Sequence, residues 1–251
     1  MDKNQVIQSI KLAREVSKQR NFKQSFDLVI NLRGLNPKKA EDNIDLFVQL
    51  NNSTGRKVKF CAFVDYDLEK QAKETCDLVI LKDHFQKYEG KKKELRKIAR
   101  NYDYFIAQAN IMPQVATLVG KVLGPLEKMP NPKAGCVVPG NLPSLKPLIE
   151  KLKNTIRLRT KKELSIKALV GIEDMKDEEV ANNVFTIYNN LIQNLPQERH
   201  NVKSMLIKLT MGSPIFVGKE YKKDEIDILV QKTKDKDSEK SPDKNKKVQE
   251  E

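Results

Sequence analysis

The chain has 251 residues, with 47 Lys and Arg against 34 Asp and Glu, for a net charge of +13. That length suits one large domain or two small ones, and the basicity favours a polyanionic partner, either nucleic acid or an anionic surface. No apolar run approaches the roughly 18 residues of a membrane-spanning helix, and Met1-Asp2-Lys3-Asn4-Gln5 lacks the apolar core of a secretory signal, so a cytoplasmic location without a membrane role is expected.

Val6, Ile10, Ala13 and Val16 recur at helical spacing and predict a helix over 3–20, with Asp2 as N-cap. Ser25 to Leu32 alternates apolar and polar residues, as a half-buried strand does, and Ile44, Leu46, Val48 and Leu50 repeat the pattern. The polar stretch 51–57 reads as a hinge or loop. The pattern then changes. Val58 to Val64 is almost continuously apolar, the mark of a strand covered on both faces. A helix at 67–75, a strand at 77–81, a helix near 91–100, a strand at 102–107 and helices near 113–123 and 144–153 follow. This alternation predicts β-α-β crossovers and a small parallel sheet. After 155 the first pattern returns. Two strands flank a turn at Thr160-Lys161-Lys162, an amphipathic helix covers 177–194, and strands follow at 202–210 and 215–217. The expected fold class is therefore mixed: α+β and α/β in two domains. A discontinuous α+β domain (1–57 plus 155–219) encloses an inserted α/β domain (58–154). Residues 220–251 hold few large apolar groups and are expected to be a disordered, charged tail.

The charge excess is uneven. Residues 1–60 carry 12 basic and 6 acidic groups and residues 61–160 carry 18 and 11, whereas 161–230 carry 10 and 11 and 231–251 carry 7 and 6. The Lys-rich tail is thus not the source of the basicity. Lys91 to Arg100 reads either as a solvated helix face or as a phosphate-tracking one. Arg157, Arg159, Lys161, Lys162 and Lys167 form a second basic cluster around the 160–162 turn.

Enzymatic signatures are missing. Asp65-Tyr66-Asp67 stands after the first inserted strand, where a nucleotide fold would carry Gly-x-Gly-x-x-Gly, and no Walker loop is present. His84 and His200 read as surface residues. Cys61, Cys76 and Cys136 are widely spaced and form no Cys-x-x-Cys pair, so they read as reduced thiols, and no histidine is placed to activate Cys136. No catalytic residue, cofactor or metal is expected. A nucleotide-dependent enzyme built on the inserted domain and a free-standing RNA-binding regulator are the alternatives weighed.

At Thr210-Met211-Gly212 a strand ends in a corner that offers a hydroxyl, a flexible apolar side chain and a backbone without Cβ. This corner, with Asn21-Phe22-Lys23-Gln24-Ser25-Phe26-Asp27, Ile111-Met112-Pro113, Leu123-Gly124-Pro125, the Lys128–Gly135 stretch, Val170-Gly171, Asn183 and Asn201-Val202-Lys203-Ser204, resembles the L-one stalk family of large-subunit ribosomal proteins in its archaeal form. The likeness spans about residues 3–217. It implies an RRM-like split domain made from both chain ends, a Rossmann-like insertion, and RNA binding on the split domain. The matching site residues are Phe22, Ser25, Asp27, Thr210, Met211 and Gly212, with Phe22 either a contact or a core residue shaping the site. Lys38, Lys39, Arg157, Arg159, Lys161, Lys162 and Lys167 would contact phosphates. The implied partners are large-subunit rRNA at the mobile stalk, exit-site tRNA and the protein's own messenger RNA, with the free protein monomeric. One departure stands out: Leu126 and Glu127 replace the basic residue and Gly that usually follow Leu-Gly-Pro.

Overall fold

The computed structural model describes residues 2–36, 39, 42–88, 90–140, 142, 144–160 and 163–238, the last seven as backbone only. The elements in chain order are α1 (Lys3–Val16), β1 (Ser25–Leu32), β2 (Asp45–Gln49), β3 (Phe60–Val64), α2 (Tyr66–Thr75), β4 (Leu78–Leu81), α3 (Phe85–Tyr88), α4 (Lys92–Asn101), β5 (Tyr104–Gln108), α5 (Met112–Leu123), β6 (Val137–Val138) and α6 (Lys146–Lys153). They continue with β7 (Thr155–Arg159), β8 (Ser165–Ile172), α7 (Asp177–Gln193), β9 (Val202–Leu209), β10 (Ile215–Phe216) and α8 (Lys223–Ser238). The contacts divide the chain into two compact units, Met1–Arg56 with Ile156–Glu251, and Lys57–Thr155.

The first unit is built on an antiparallel sheet ordered β10-β9-β1-β8. β1 is central because its alternation is strict. Phe26, Leu28, Ile30 and Leu32 are buried, while the residues between them are half-buried. The buried set meets α1 through Val6, Ile10 and Ala13, and α7 through Val180, Val184, Ile187 and Leu191. Both helices are thereby held on one face of the sheet, since each must bury its single apolar stripe. The first turn of α7 holds Asp177, Glu178 and Glu179, favourable at the positive end of a helix dipole. Arg14 of α1 reaches this end and donates to Asp177 Oδ1 at 2.8 Å and to the carbonyl of Met175 at 2.7 Å. The two chain ends are thus joined by a shared core and by this charged clasp.

One expectation is corrected here, that of a disordered segment from residue 220. The strands on either side of residues 160–162, whose partners the sequence pattern left open, enter different sheets. β7 joins β2 in a separate two-stranded sheet, while β8 joins β1. The Thr160 hydroxyl accepts from Ile44 N at 3.0 Å, and its own N–H donates to the Ile44 carbonyl at 3.0 Å, fastening β7 toward β2. The segment after 219 begins in order: α8 packs Ile226, Leu229 and Val230 against the core of this unit. Three apolar side chains on one helical stripe are enough for a helix that borrows an existing core.

The second unit carries a parallel sheet ordered β4-β3-β5-β6. All five residues of β3 are buried, as a strand with both faces covered requires. Phe63 stacks on Phe105 at 6.1 Å and meets the edge of Phe85. β6 has no counterpart in the sequence reading, because two residues carry no periodicity. Lys128 Nζ donates to the carbonyls of Ala99 at 2.9 Å and Tyr102 at 2.7 Å, so it closes the C-terminal end of α4. Burial keeps the thiols protonated and unreactive, pushing Cys136 up to about 11 and Cys61 higher still.

The departure at Glu127 has a physical consequence, because its φ is 58°, in the left-handed region that penalises a Cβ. Glu127→Gly should relieve that strain, partly offset by the greater freedom of Gly in the unfolded chain. The expected net gain is about 0.5–1 kcal/mol in chemical denaturation. An unchanged or lowered midpoint would mean that contacts of the Glu127 side chain outweigh the strain.

Candidate nucleic-acid interface

β9 runs beside β1 in register, with Lys208 opposite Asp27 and Leu209 opposite Phe26, so the chain leaves β9 at the level where β1 begins. This brings Thr210 to Ser25. The Thr210 N–H donates to the Ser25 carbonyl at 3.0 Å, the Ser25 N–H donates to Thr210 Oγ1 at 3.1 Å, and the two hydroxyl oxygens lie 2.9 Å apart at an exposed edge. Residues 185 positions apart in the chain therefore share one hydrogen-bonded pair of hydroxyls.

The corner is tight. Gly212 N–H donates to the Leu209 carbonyl at 2.9 Å, and a Cβ on Gly212 would stand 2.2 Å from Ser17 Oγ. With the Ser17 hydroxyl where it stands, Gly is what lets the corner lie this close to the end of α1. Gln24, just 1% exposed, ties the neighbourhood together: its Nε2 donates to the Lys18 carbonyl at 3.2 Å and its Oε1 accepts from Met211 N at 3.3 Å. Met211 itself is 41% exposed, so the corner's backbone is held while its side chain is presented. Phe22 is 53% exposed, which removes the core alternative for this residue. Partial burial pushes the Asp27 carboxyl up from its ordinary value, and the neighbouring Lys208 ammonium opposes the shift.

The basic residues divide. Lys167 lies exposed on β8, opposite Val29 of β1 and 3.9 Å from the Glu163 carboxylate. Lys39 is exposed in a turn closed by its N–H on the Asn36 carbonyl. Arg157 stands on β7, in the other sheet. Its guanidinium grips Asp45 through Nε at 2.6 Å and Nη2 at 2.7 Å and lies over the Phe47 ring. Arg159 shares that strand, and its Nε is buried. Both arginines stand on the β2–β7 sheet, not on the four-stranded sheet that leads into the Thr210 corner. Lys38, Lys161 and Lys162 lie outside the described residues. The sequence reading missed Gln24, Ser17 and Lys208. Gln24 sits inside the Asn21–Asp27 motif, and that was its only signal.

Fold and corner together define a mixed α/β protein whose chain ends combine in one antiparallel sheet, interrupted by a segment with a parallel sheet. The chain belongs to the ribosomal protein L1p/L10e family, whose model matches residues 13–213. Its similar relatives include proteins named large ribosomal subunit protein uL1. That of Methanothermococcus thermolithotrophicus is 40% identical over 219 residues, covering 87% of this chain and all of the relative. That of Methanothermobacter thermautotrophicus is 37% identical over 214 residues, covering 85% of this chain and 98% of the relative. That of Methanocaldococcus jannaschii is 37% identical over 223 residues, covering 89% and 99%. This is a ribosomal-protein family and not an enzyme family, so the nucleotide-dependent alternative is set aside.

Proposed function

We propose that this protein is a constituent of the large ribosomal subunit in the cytoplasm, where it binds large-subunit rRNA at the mobile stalk. The unit formed from both chain ends is its RRM-like RNA-binding domain, and the unit between them is a Rossmann-like insertion. The observation that carries this reading is the exposed Ser25–Thr210 hydroxyl pair beside presented Met211 and the close-packed Gly212 backbone. Helical RNA is read by shape, by 2′-hydroxyls and by phosphates, and paired hydroxyls on a rigid corner suit ribose contacts. Met211 and Phe22 supply apolar surface for sugar or base faces. Lys167 and Lys39 supply cations for phosphates, as would Lys38, Lys161 and Lys162.

At the stalk the protein assists release of exit-site tRNA. The same corner takes an rRNA-like site in the protein's own messenger RNA and so represses its translation when free protein accumulates. One corner cannot hold two RNAs, so the two should compete, and simultaneous binding of both would contradict the repressor role.

Thr210→Ala tests the site. It removes one partner of the hydroxyl pair at an exposed strand end, so the fold should persist. Affinity for a stalk rRNA fragment should fall by about 1–3 kcal/mol in filter binding at fixed salt, with unrelated duplex RNA little affected. Equal losses on both RNAs would show that Thr210 belongs to no specific site.

A further inference from the structure

The sheet of the first unit has a second face. The core residues of β1, β8 and β9 point toward α1 and α7, and the alternate residues point away. Register orders that outer face into rows. The first is the Thr210–Ser25 pair. The next sets Lys208 beside Asp27. The third crosses all four strands as Phe216, Leu206, Val29 and Lys167. Four residues along a strand separate the first row from the third, about 13 Å. Ile215 is fully buried, so the adjacent Phe216 turns outward, 43% exposed. It lies beyond residue 213, where the family match ends.

We propose that this outer face takes an unpaired ribonucleotide continuing from the RNA held at the Thr210 corner, its base stacked on Phe216 and its phosphates beside Lys208 and Lys167. The inference rests on the RNA-binding reading of that corner. An aromatic ring standing on a sheet, next to aliphatic Leu206 and Val29, is a platform for the face of a base. A paired base hides its faces in the helix stack, so the occupant is single-stranded. The two lysines flank β1 on the same face, Lys208 on β9 and Lys167 on β8, one row and two strands apart, about 12 Å between Cα atoms, a gap that their long side chains can narrow to neighbouring phosphates. A protein partner fits less well, since a stable interface buries about 800 Å² on each side and the apolar residues of this face, Phe216, Leu206, Val29 and Leu169, are interrupted by Lys208, Asp27 and Lys167.

The test uses the full chain and two RNA probes in fluorescence anisotropy. One is a blunt stalk rRNA hairpin. The other is the same hairpin with a short single-stranded extension containing 2-aminopurine, placed at either end in separate probes. Wild type should bind one extended probe at least about fivefold tighter than the blunt hairpin and quench its fluorophore. Phe216→Leu keeps an apolar cover over Leu206 but has no ring. It should lose both the preference and the quench while binding the blunt hairpin as wild type does. Phe216→Trp should keep both. Equal wild-type affinity for blunt and extended probes overturns the proposal and leaves the corner intact. So does a preference that survives in Phe216→Leu. Failure to bind any probe overturns the RNA reading of the corner along with it. Self-association abolished by Phe216→Leu, with RNA binding unchanged, assigns the face to a second copy of the chain and also overturns the proposal.

Discussion

Gly212→Ala is expected to destabilise the protein by about 1–3 kcal/mol and to weaken rRNA binding further by shifting the corner. The added methyl would stand 2.2 Å from Ser17 Oγ, far inside contact distance, while its other neighbours, Leu209 Cβ and the Leu209 carbonyl, lie at 3.5 Å and are undisturbed. The strain thus has one source, and that source can be removed. Ser17 Oγ is buried with no hydrogen-bond partner among the described residues. Ser17→Ala should therefore be neutral or slightly stabilising, since it deletes an unsatisfied polar atom. In the double variant the methyl finds the vacated space, and most of the loss should be recovered. Denaturation midpoints and rRNA titrations of the four proteins make a double-mutant cycle. Strict additivity would show that close approach at Ser17 is not what demands Gly at 212.

Asn183→Ala should cost about 2–4 kcal/mol, read as a lowered denaturant midpoint with an unchanged slope. Asn183 is fully buried on α7. Its Nδ2 donates to the Val170 carbonyl of β8 at 2.9 Å, and its Oδ1 accepts from Asn52 N at 3.1 Å. Truncation leaves both backbone groups without this partner, and a buried polar group left unmatched costs its full desolvation. Asn183→Asp separates the two bonds. An ionised carboxylate still accepts from Asn52 but faces the Val170 carbonyl with negative charge and no proton to donate. Burial raises its folded pKa above the unfolded value near 3.9, so the penalty builds as pH rises from about 3.9 to the folded pKa, stays at its maximum above that, and is fully relieved only below about 3.9. A pH-independent Asn183→Asp variant would mean that the Val170 contact contributes little.

Several parts of this architecture were legible in the residues. The alternation in Ser25–Leu32 and the unbroken apolar run ending at Val64 distinguished a half-covered antiparallel strand from a parallel strand covered on both faces. The difference between period two and no period is a direct readout of how many faces lose water. Asn183 and Gln24 were visible only as members of motifs. Their roles depend on which backbone groups stand beside them, and spacing does not encode that. Arg157 looked like a phosphate contact because it is basic and near a basic turn. Asp45, 112 positions earlier, pairs with it, a partner that spacing could not reveal. The 160–162 segment read as a turn between two strands, and local pattern does not say which strand each of them pairs with. Here β2 competes for β7 and wins through the Thr160–Ile44 bonds.

Local pattern by itself determined most of the helices and strands, though not β6 or α8, together with which of their faces are buried, where the basic charge concentrates and which corner of the chain stands out. Tertiary structure alone decided that Ser25 meets Thr210, that Gly212 lies against Ser17, that Arg157 pairs with Asp45 in another sheet and that Phe216 faces outward in line with Lys167. The division is physical. Hydrophobic periodicity is a property of consecutive residues and survives in one dimension, whereas hydrogen-bond partners, ion pairs and steric limits arise between residues far apart in sequence, brought together only when the core closes.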